Sequence, residues 1–455
     1  MMDEFREEGL RLAAELQANQ LRTKAGHPTW LIPSGYGTPG HPFRQVQPTG
    51  HLYDGSTGIA LFLAAASHIG GEDRFRELSL AVIAPLRTLF RAWVEEDRAA
   101  HPSIQVGGLM GVGSFIYAFQ KISDWLGEPD LLREAQQLTL VLTPERLAQD
   151  RQVRIQTGSA GTLLALLALH RRNPEPNADG ETPLDIAGRC VDHLLGSQVP
   201  CADFQGAAWP LSPGKPPLAG YSYGAAGICY ALTCYAKAVD SGARGDAARA
   251  GAAAGWEFVR SLYAVNRRSW RDPRRIFQSH YRLREGIWKD WWASGRPEQL
   301  ERRTSPDAVE ESFLDIWCHG AAGVALAALV APMGPEDAEQ ARQVLERLST
   351  EIGELPDHEE DDICCGAMGR VEVLQRASQI HGQEDVVGGR EWQHAAQRLA
   401  AQVLERARVR ERYTLTSARG RAVFAPSFFQ GLAGVGYTFL RLAAPENLPS
   451  VLLLE

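Results

Sequence analysis

One short pattern governs what this chain can become. A Gly-x-x-Gly turn followed by an apolar run occurs seven times. It stands at Gly55–Gly58 before "IALFLAAA", at Gly108–Gly111 before "VGSFIYAF" and at Gly158–Gly161 before "TLLALLAL". It returns at Gly224–Gly227 before "ICYALTCYA", Gly320–Gly323 before "VALAALV", Gly366–Gly369 before "RVEVLQRAS" and Gly431–Gly434 before "VGYTFLRL". Glycines permit tight turns and close backbone approach. The helix after each is apolar nearly all round and must be buried. More polar amphipathic stretches lie between the copies, such as "FRELSLAVIAPLRTLFRAWVEE" and "WQHAAQRLAAQVLERARV". Buried and half-exposed helices therefore alternate, at uneven intervals of roughly 45 to 95 residues.

Seven such pairs predict an all-α protein: an α/α toroid of seven inner and seven outer helices. An open solenoid is the competing arrangement, but it needs polar capping repeats, and none is evident. Residues 1–455 read as one domain, with 266–303 as an insertion. In a closed ring all seven turns gather at one end. Helix dipoles there favour anions and thiolates.

Composition narrows the function. The net charge of −8 argues against nucleic acid as a partner, which calls for a basic surface. The apolar runs fall far short of the ~20 residues of a membrane span. The amphipathic N-terminal stretch lacks the features of a signal peptide, so a cytoplasmic location is expected. Seven cysteines, an odd number, argue against a disulfide framework. Cys190, Cys229 and Cys234 lie in apolar helical runs and read as small buried hydrophobes.

Cys318, Cys364 and Cys365 stand at turns. "DIWCHGAAG" places Cys318 and His319 before Gly320; "DICCGAMG" places Cys364 and Cys365 before Gly366. In repeat register Cys318 matches Cys364, and His319 matches Cys365. The fourth turn, "GYSYGAAG", has Ser222 and Tyr223 there. Adjacent turns thus offer three thiols and an imidazole. Three thiolates with an open fourth position suit catalytic zinc, and soft ligands favour zinc over magnesium or calcium. The plainer alternative is three coincidentally buried cysteines.

With these motifs, the chain resembles the lanthionine synthetase C-like family, most of all the C-terminal cyclase domain of class II lanthipeptide synthetases. The matching stretches are "HLYDGSTGIALFLAAA", "GYSYGAAGI", "WCHGAAGVALA", "ICCGAMGRVE" and "PSFFQGLAGVGYTFLRL" through "PENLPSVLLLE". The large dehydratase region of full class II enzymes is not in this sequence, which makes it a stand-alone cyclase or an excised domain. The resemblance implies a toroid with one Zn2+ at its mouth, held by Cys318, Cys364 and Cys365. It implies a dehydrated precursor peptide as partner, and a separate dehydratase where the chain is a stand-alone cyclase. The implied reaction is Michael addition of a peptide cysteine to dehydroalanine or dehydrobutyrine, forming a lanthionine or methyllanthionine thioether.

The chain departs from the family where acid–base groups belong. An Asp is customary four residues before the third turn; here it is Arg154. A His is customary immediately before the fourth; here it is Tyr223. Arginine does not act as a base near neutrality. His319 is the imidazole left beside the metal, in the range suited to proton transfer. His319, Tyr223 and Arg154 are therefore the catalytic candidates. Three readings stay open: a cyclase with altered acid–base groups, a different thiol addition or elimination on a modified peptide, or a peptide-binding scaffold with structural zinc.

Residues 266–303 are basic and aromatic-rich. Arg274, Arg275 and Trp288 are candidates for docking an acidic peptide segment, against the alternative of a solvated loop whose tryptophans pack on the ring. The acidic run "DHEEDD", 357–362, reads as a solvated loop. Asp54 and Asp315 read as turn organisers or caps.

Overall fold

The apolar runs form inner helices and the amphipathic runs form outer ones. The computed structural model describes residues 1–34, 44–95, 105–201, 204–210, 216–272, 312–356, 359–381, 388–417 and 423–455. Within them are fifteen α-helices: α1 (Met2–Ala18), α2 (Ser56–Gly70), α3 (Asp73–Glu95), α4 (Val112–Leu126), α5 (Pro129–Leu138), α6 (Pro144–Ala148), α7 (Ser159–Arg172) and α8 (Pro183–Gly196). They continue with α9 (Ala225–Ala238), α10 (Ala243–Ser261), α11 (Ala321–Val330), α12 (Pro335–Thr350), α13 (Ala367–His381), α14 (Gly388–Arg410) and α15 (Leu432–Ala443). Strands are short and confined to small antiparallel ribbons, such as Ile32–Ser34 with Arg44–Val46.

Helices α2, α4, α7, α9, α11, α13 and α15 each pack on the next, and α15 packs back on α2. The ring is closed. Every residue of α7 from Ser159 to Leu169 is buried, and each large apolar side chain removed from water contributes about 2 kcal/mol. The outer helices bury one stripe. In α14 it runs Trp392, Ala395, Ala396, Leu399, Ala400, Val403, Leu404 and Ala407, the spacing of a helix with one wet face. Six outer helices follow their inner partners in sequence. The seventh is α1, which packs beside α15.

The turns explain the glycines. None of the inner helices with a described cap is closed by the side chain of its own N-cap residue, which is glycine in each. In α2, α9, α11, α13 and α15 the first amide bonds a carbonyl seven residues back: Ser56 to Thr49 (2.9 Å), Ala225 to Leu218 (2.8 Å), Ala321 to Leu314 (2.7 Å), Ala367 to Glu360 (2.9 Å) and Leu432 to Ala425 (2.8 Å). In α7 the Ser159 amide is taken by the Asp150 carboxylate at 2.7 Å. That folds the approach loop tightly against the helix mouth. A Cβ on the second glycine would then meet a carbonyl oxygen: 1.8 Å from Ile155 at Gly161, 1.9 Å from Tyr221 at Gly227 and 2.0 Å from Trp317 at Gly323. Close approach selects glycine here.

The second turn departs from the sequence reading. Helix α4 begins after Gly111, and the Val112 amide bonds the Gln105 carbonyl at 2.9 Å. Gly111 therefore corresponds to the first glycine of the other turns, and Ser114 occupies the second slot. The pattern at Gly108–Gly111 is three residues out of register.

Candidate metal centre

The position two residues before each leading glycine holds the ring mouth together. Its occupants are Tyr53, Leu109, Gln156, Ser222, Cys318, Cys364 and Phe429. Their backbones are bonded turn to turn. Tyr53 N–H donates to Leu109 (3.0 Å), Leu109 to Gln156 (3.0 Å), Gln156 to Ser222 (3.4 Å) and Ser222 to Cys318 (2.9 Å). Cys364 donates to Phe429 (2.9 Å), and Phe429 to Tyr53 (3.0 Å). At the remaining step, between the fifth and sixth turns, the thiols meet.

Cys318, Cys364 and Cys365 converge, with all three sulfurs within 4.8 Å of one another. Cys318 and Cys365 are 3.8 Å apart, and Cys364 and Cys365 3.4 Å. Tetrahedral zinc with Zn–S bonds of about 2.3 Å sets sulfurs ~3.8 Å apart, so the donors fit the ion. Cys318 and Cys364 are buried and Cys365 is partly exposed. Contact with Cys318, then burial, pushes the Cys364 thiol well above its usual range. The Cys365 thiol is pushed up as well: its bond to Cys318 opposes the shift, and the bond to Cys364 and burial outweigh it. Thiols packed this closely resist becoming thiolates together, and a cation reverses that balance.

A buried carboxylate shapes the loop. One Asp362 oxygen accepts the amides of Cys364 (3.2 Å) and Cys365 (3.1 Å), and the other accepts the Thr416 amide (2.7 Å). Asp361 pairs with Arg406 and accepts the Thr414 amide at 2.6 Å. The acidic run is thus no solvated loop where it is described: Glu360, Asp361 and Asp362 are at most 5% exposed. Asp54 does organise its turn, accepting the Thr49 hydroxyl at 2.6 Å. Asp315 instead pairs with Arg347 of α12, at 2.9 Å.

The three catalytic candidates form a stack beside the thiols. The Tyr223 and His319 rings are 4.5 Å apart and 26° from parallel. The Arg154 guanidinium lies 5.3 Å from the Tyr223 ring centre, in cation–π range. Burial pushes the Tyr223 phenol up and pulls the Arg154 guanidinium down. Tyr223 therefore stays a phenol near neutrality, a donor and not a base. Arg274, Arg275 and Trp288, offered for peptide docking, lie outside the described residues. Cys190 and Cys229 are fully buried as expected; Cys234 is only partly so.

Sequence reasoning missed two groups: Asp362, and Tyr53, whose hydroxyl donates to the Cys364 sulfur at 2.9 Å. Tyr53 was findable, because it holds the same repeat position as Cys318 and Cys364.

The model of lanthionine synthetase C-like proteins matches residues 48–453. The chain belongs to the lanthionine synthetase C-like family. Among solved structures, nisin cyclase matches this family member with a TM-score of 0.60 and 14% identity, over 89% of this chain and 92% of that one. At that identity the likeness shows a shared fold. An inactive variant of an α-1,6-mannanase from Salegentibacter sp. HEL1_6, in complex with α-1,6-mannotetrose, reaches a TM-score of 0.41 at 11% identity, over 96% and 98% of the two chains, and carries no argument. No curated protein sequence matches the chain. No helix among the described residues is long and apolar enough to cross a membrane.

Proposed function

We propose that this lanthionine synthetase C-like protein is a zinc-dependent peptide cyclase. It joins cysteine thiols to dehydroalanine or dehydrobutyrine in a ribosomal precursor peptide, making lanthionine or methyllanthionine thioethers. The observation that carries this reading is the convergence of Cys318, Cys364 and Cys365 at matched turns, with Cys365 partly exposed and a stacked imidazole adjacent. Zinc held by these thiolates would supply Lewis acidity that keeps an incoming thiol ionised at neutral pH.

The chain's own groups handle the protons. The peptide thiol gives up its proton as its sulfur bonds the β-carbon, and the α-carbon gains one, so the reaction is an isomerisation. His319 takes the first proton and returns one to the α-carbon. The Tyr223 phenol donates to the enolate oxygen formed between those steps. Arg154 holds positive charge behind the Tyr223 ring. The peptide arrives already dehydrated.

The test is a dehydrated precursor peptide incubated with protein of known zinc content. Loss of peptide thiols is scored by alkylation and mass spectrometry. Cyclisation by the parent and none by Cys364→Ala supports the reading.

The stack itself favours a second reading. Arg154 and Tyr223 contact each other where the family customarily has Asp and His, which suits a peptide-binding partner whose metal is structural. Tight peptide binding with no thiol loss in the same assay selects that role. Thiol loss without ring formation selects a different addition or elimination.

A further inference from the structure

We infer that Tyr53 is a positioning residue of the metal centre, a hydrogen-bond donor that draws charge from the Cys364 sulfur and so tunes a three-cysteine site. The inference rests on the zinc reading above and adds to it a residue that the thiol pattern alone does not reveal.

The geometry is specific. The Tyr53 hydroxyl is 2.9 Å from Cys364 Sγ, although 311 residues separate them. Tyr53 occupies in the first turn the place that Cys318 and Cys364 occupy in theirs, so its side chain enters the same space. Its backbone is fixed on both sides, by Leu109 and by Phe429. Its ring stacks on Phe429 at 5.0 Å and 8°, and Phe429 stacks on Trp317 at 5.2 Å and 27°. Trp317 is the neighbour of Cys318. One aromatic column thus ties the hydroxyl of the first turn to the thiol of the fifth.

The nearby amides do not perform this task. The Cys364 N–H is engaged by the Phe429 carbonyl and Asp362, and the Cys365 N–H by Asp362. Among the described hydrogen bonds, the Tyr53 hydroxyl is the N–H or O–H donor that reaches the Cys364 sulfur.

The charge balance gives the bond its purpose. Three cysteinates contribute −3, and with a 2+ ion the centre carries −1. Two cysteinates and a neutral histidine would leave it at 0. The extra negative charge weakens the ion as an acid. An O–H···S bond takes back part of that charge, as outer hydrogen bonds to metal ligands do.

Tyr53→Phe keeps the ring and its stack and deletes only the hydroxyl. The full-length parent and the variant are loaded with cobalt(II), whose thiolate charge-transfer band reports the electron richness of the sulfurs. A purely structural role for Tyr53 leaves that band where it is. The expected result is a band at lower energy in Tyr53→Phe, at equal cobalt content. Zinc affinity by chelator competition is expected to fall about tenfold or more. An unchanged band overturns the inference and leaves the zinc-cyclase reading standing. A parent that shows no thiolate-to-cobalt band overturns both.

Discussion

The Phe429 amide donates to the Tyr53 carbonyl at 3.0 Å and joins the seventh turn of the ring to the first. Because that bond lies 376 residues apart in sequence, no local segment can form it. The mouth of the toroid is assembled only when both ends of the chain are in place. A flaw in one turn is therefore felt at all of them.

A methyl group in a turn is such a flaw. A Cβ on Gly434 would sit 1.9 Å from the Phe428 carbonyl oxygen, one residue from Phe429. Gly434→Ala should cost about 3 kcal/mol or more, because the helix must move away from its own approach loop. Gly196→Ala, at a helix end with open space around the new methyl, should be neutral or stabilising by up to ~1 kcal/mol. Urea unfolding of both variants measures the contrast; equal midpoints would refute the close-approach account.

Asp362 accepts three amides while fully buried. Asp362→Ala strands the Cys365 and Thr416 amides at about 1 to 3 kcal/mol each, leaves the Cys364 amide only the Phe429 carbonyl, and frees the loop bearing two thiols. Zinc affinity should fall about 10- to 100-fold. Asp362→Asn keeps one acceptor oxygen and should lose less. Chelator competition followed by thermal unfolding ranks the three proteins.

His319 and Tyr223 separate by role. His319→Gln should lower cyclisation about 10²- to 10⁴-fold with zinc content retained. Tyr223→Phe preserves the stack and loses one donor, so its loss should be smaller, about tenfold. Single-turnover thiol consumption on zinc-loaded protein is the measurement. Parent-like rates for His319→Gln would move the proton chemistry elsewhere.

Lys121 gives a pH signature. Burial first, then Arg171, pull its amine down to about 8, with Asp124 opposing. An unfolded lysine titrates near ~10.4. Between those values the unfolded chain holds a proton that the folded one has shed, so stability rises with pH across that window. Below about 8 both states are protonated, and the full cost of burying the charge remains. Lys121→Met should be more stable than the parent by about 1 to 2 kcal/mol near neutrality, allowing for partial solvent screening. Its advantage should shrink as pH rises through the window. Urea unfolding at several pH values reads the difference; a constant advantage would remove Lys121 as its cause.

The legible parts of the molecule were those written locally. A carbonyl pressed against a helix mouth demands glycine at fixed spacing, and a buried inner helix demands an apolar run. Repeating both around the ring, with Ser114 the exception in the second turn, announced the toroid. The thiols were legible because Cys318 and Cys364 share a repeat position. The acidic run was misread because its burial depends on Arg406, Thr414 and Thr416, 45 to 54 residues later. The slip at Gly111 was hidden by a third glycine, Gly108, that imitates the motif. Arg274, Arg275 and Trp288 fall outside the described residues, so their docking role stands as a sequence expectation.

Helix α1 fastens the structure like a clasp. It comes from the start of the chain and lies against α15 from the end, with Phe5 5.5 Å from Phe439, and Glu4 pairs with Arg408 of α14 at 2.7 Å. Tyr413 donates to Glu8 at 2.6 Å alongside. Opening the clasp uncovers an apolar helix face shaped for one occupant, and the α1 of a second copy is identical to the one that left. Reciprocal exchange is therefore the characteristic misassembly to expect of this ring at high concentration. Gly9→Leu crowds the clasp at Leu440, where even a Cβ would sit 2.6 Å away; the clash is the same against either copy's α1, so the variant should speed interconversion of the monomer and dimer fractions from size-exclusion chromatography without changing their ratio, and a parent-like rate would dismiss exchange. A fastening made from both ends of one chain cannot, by its chemistry alone, tell its own end from a neighbour's.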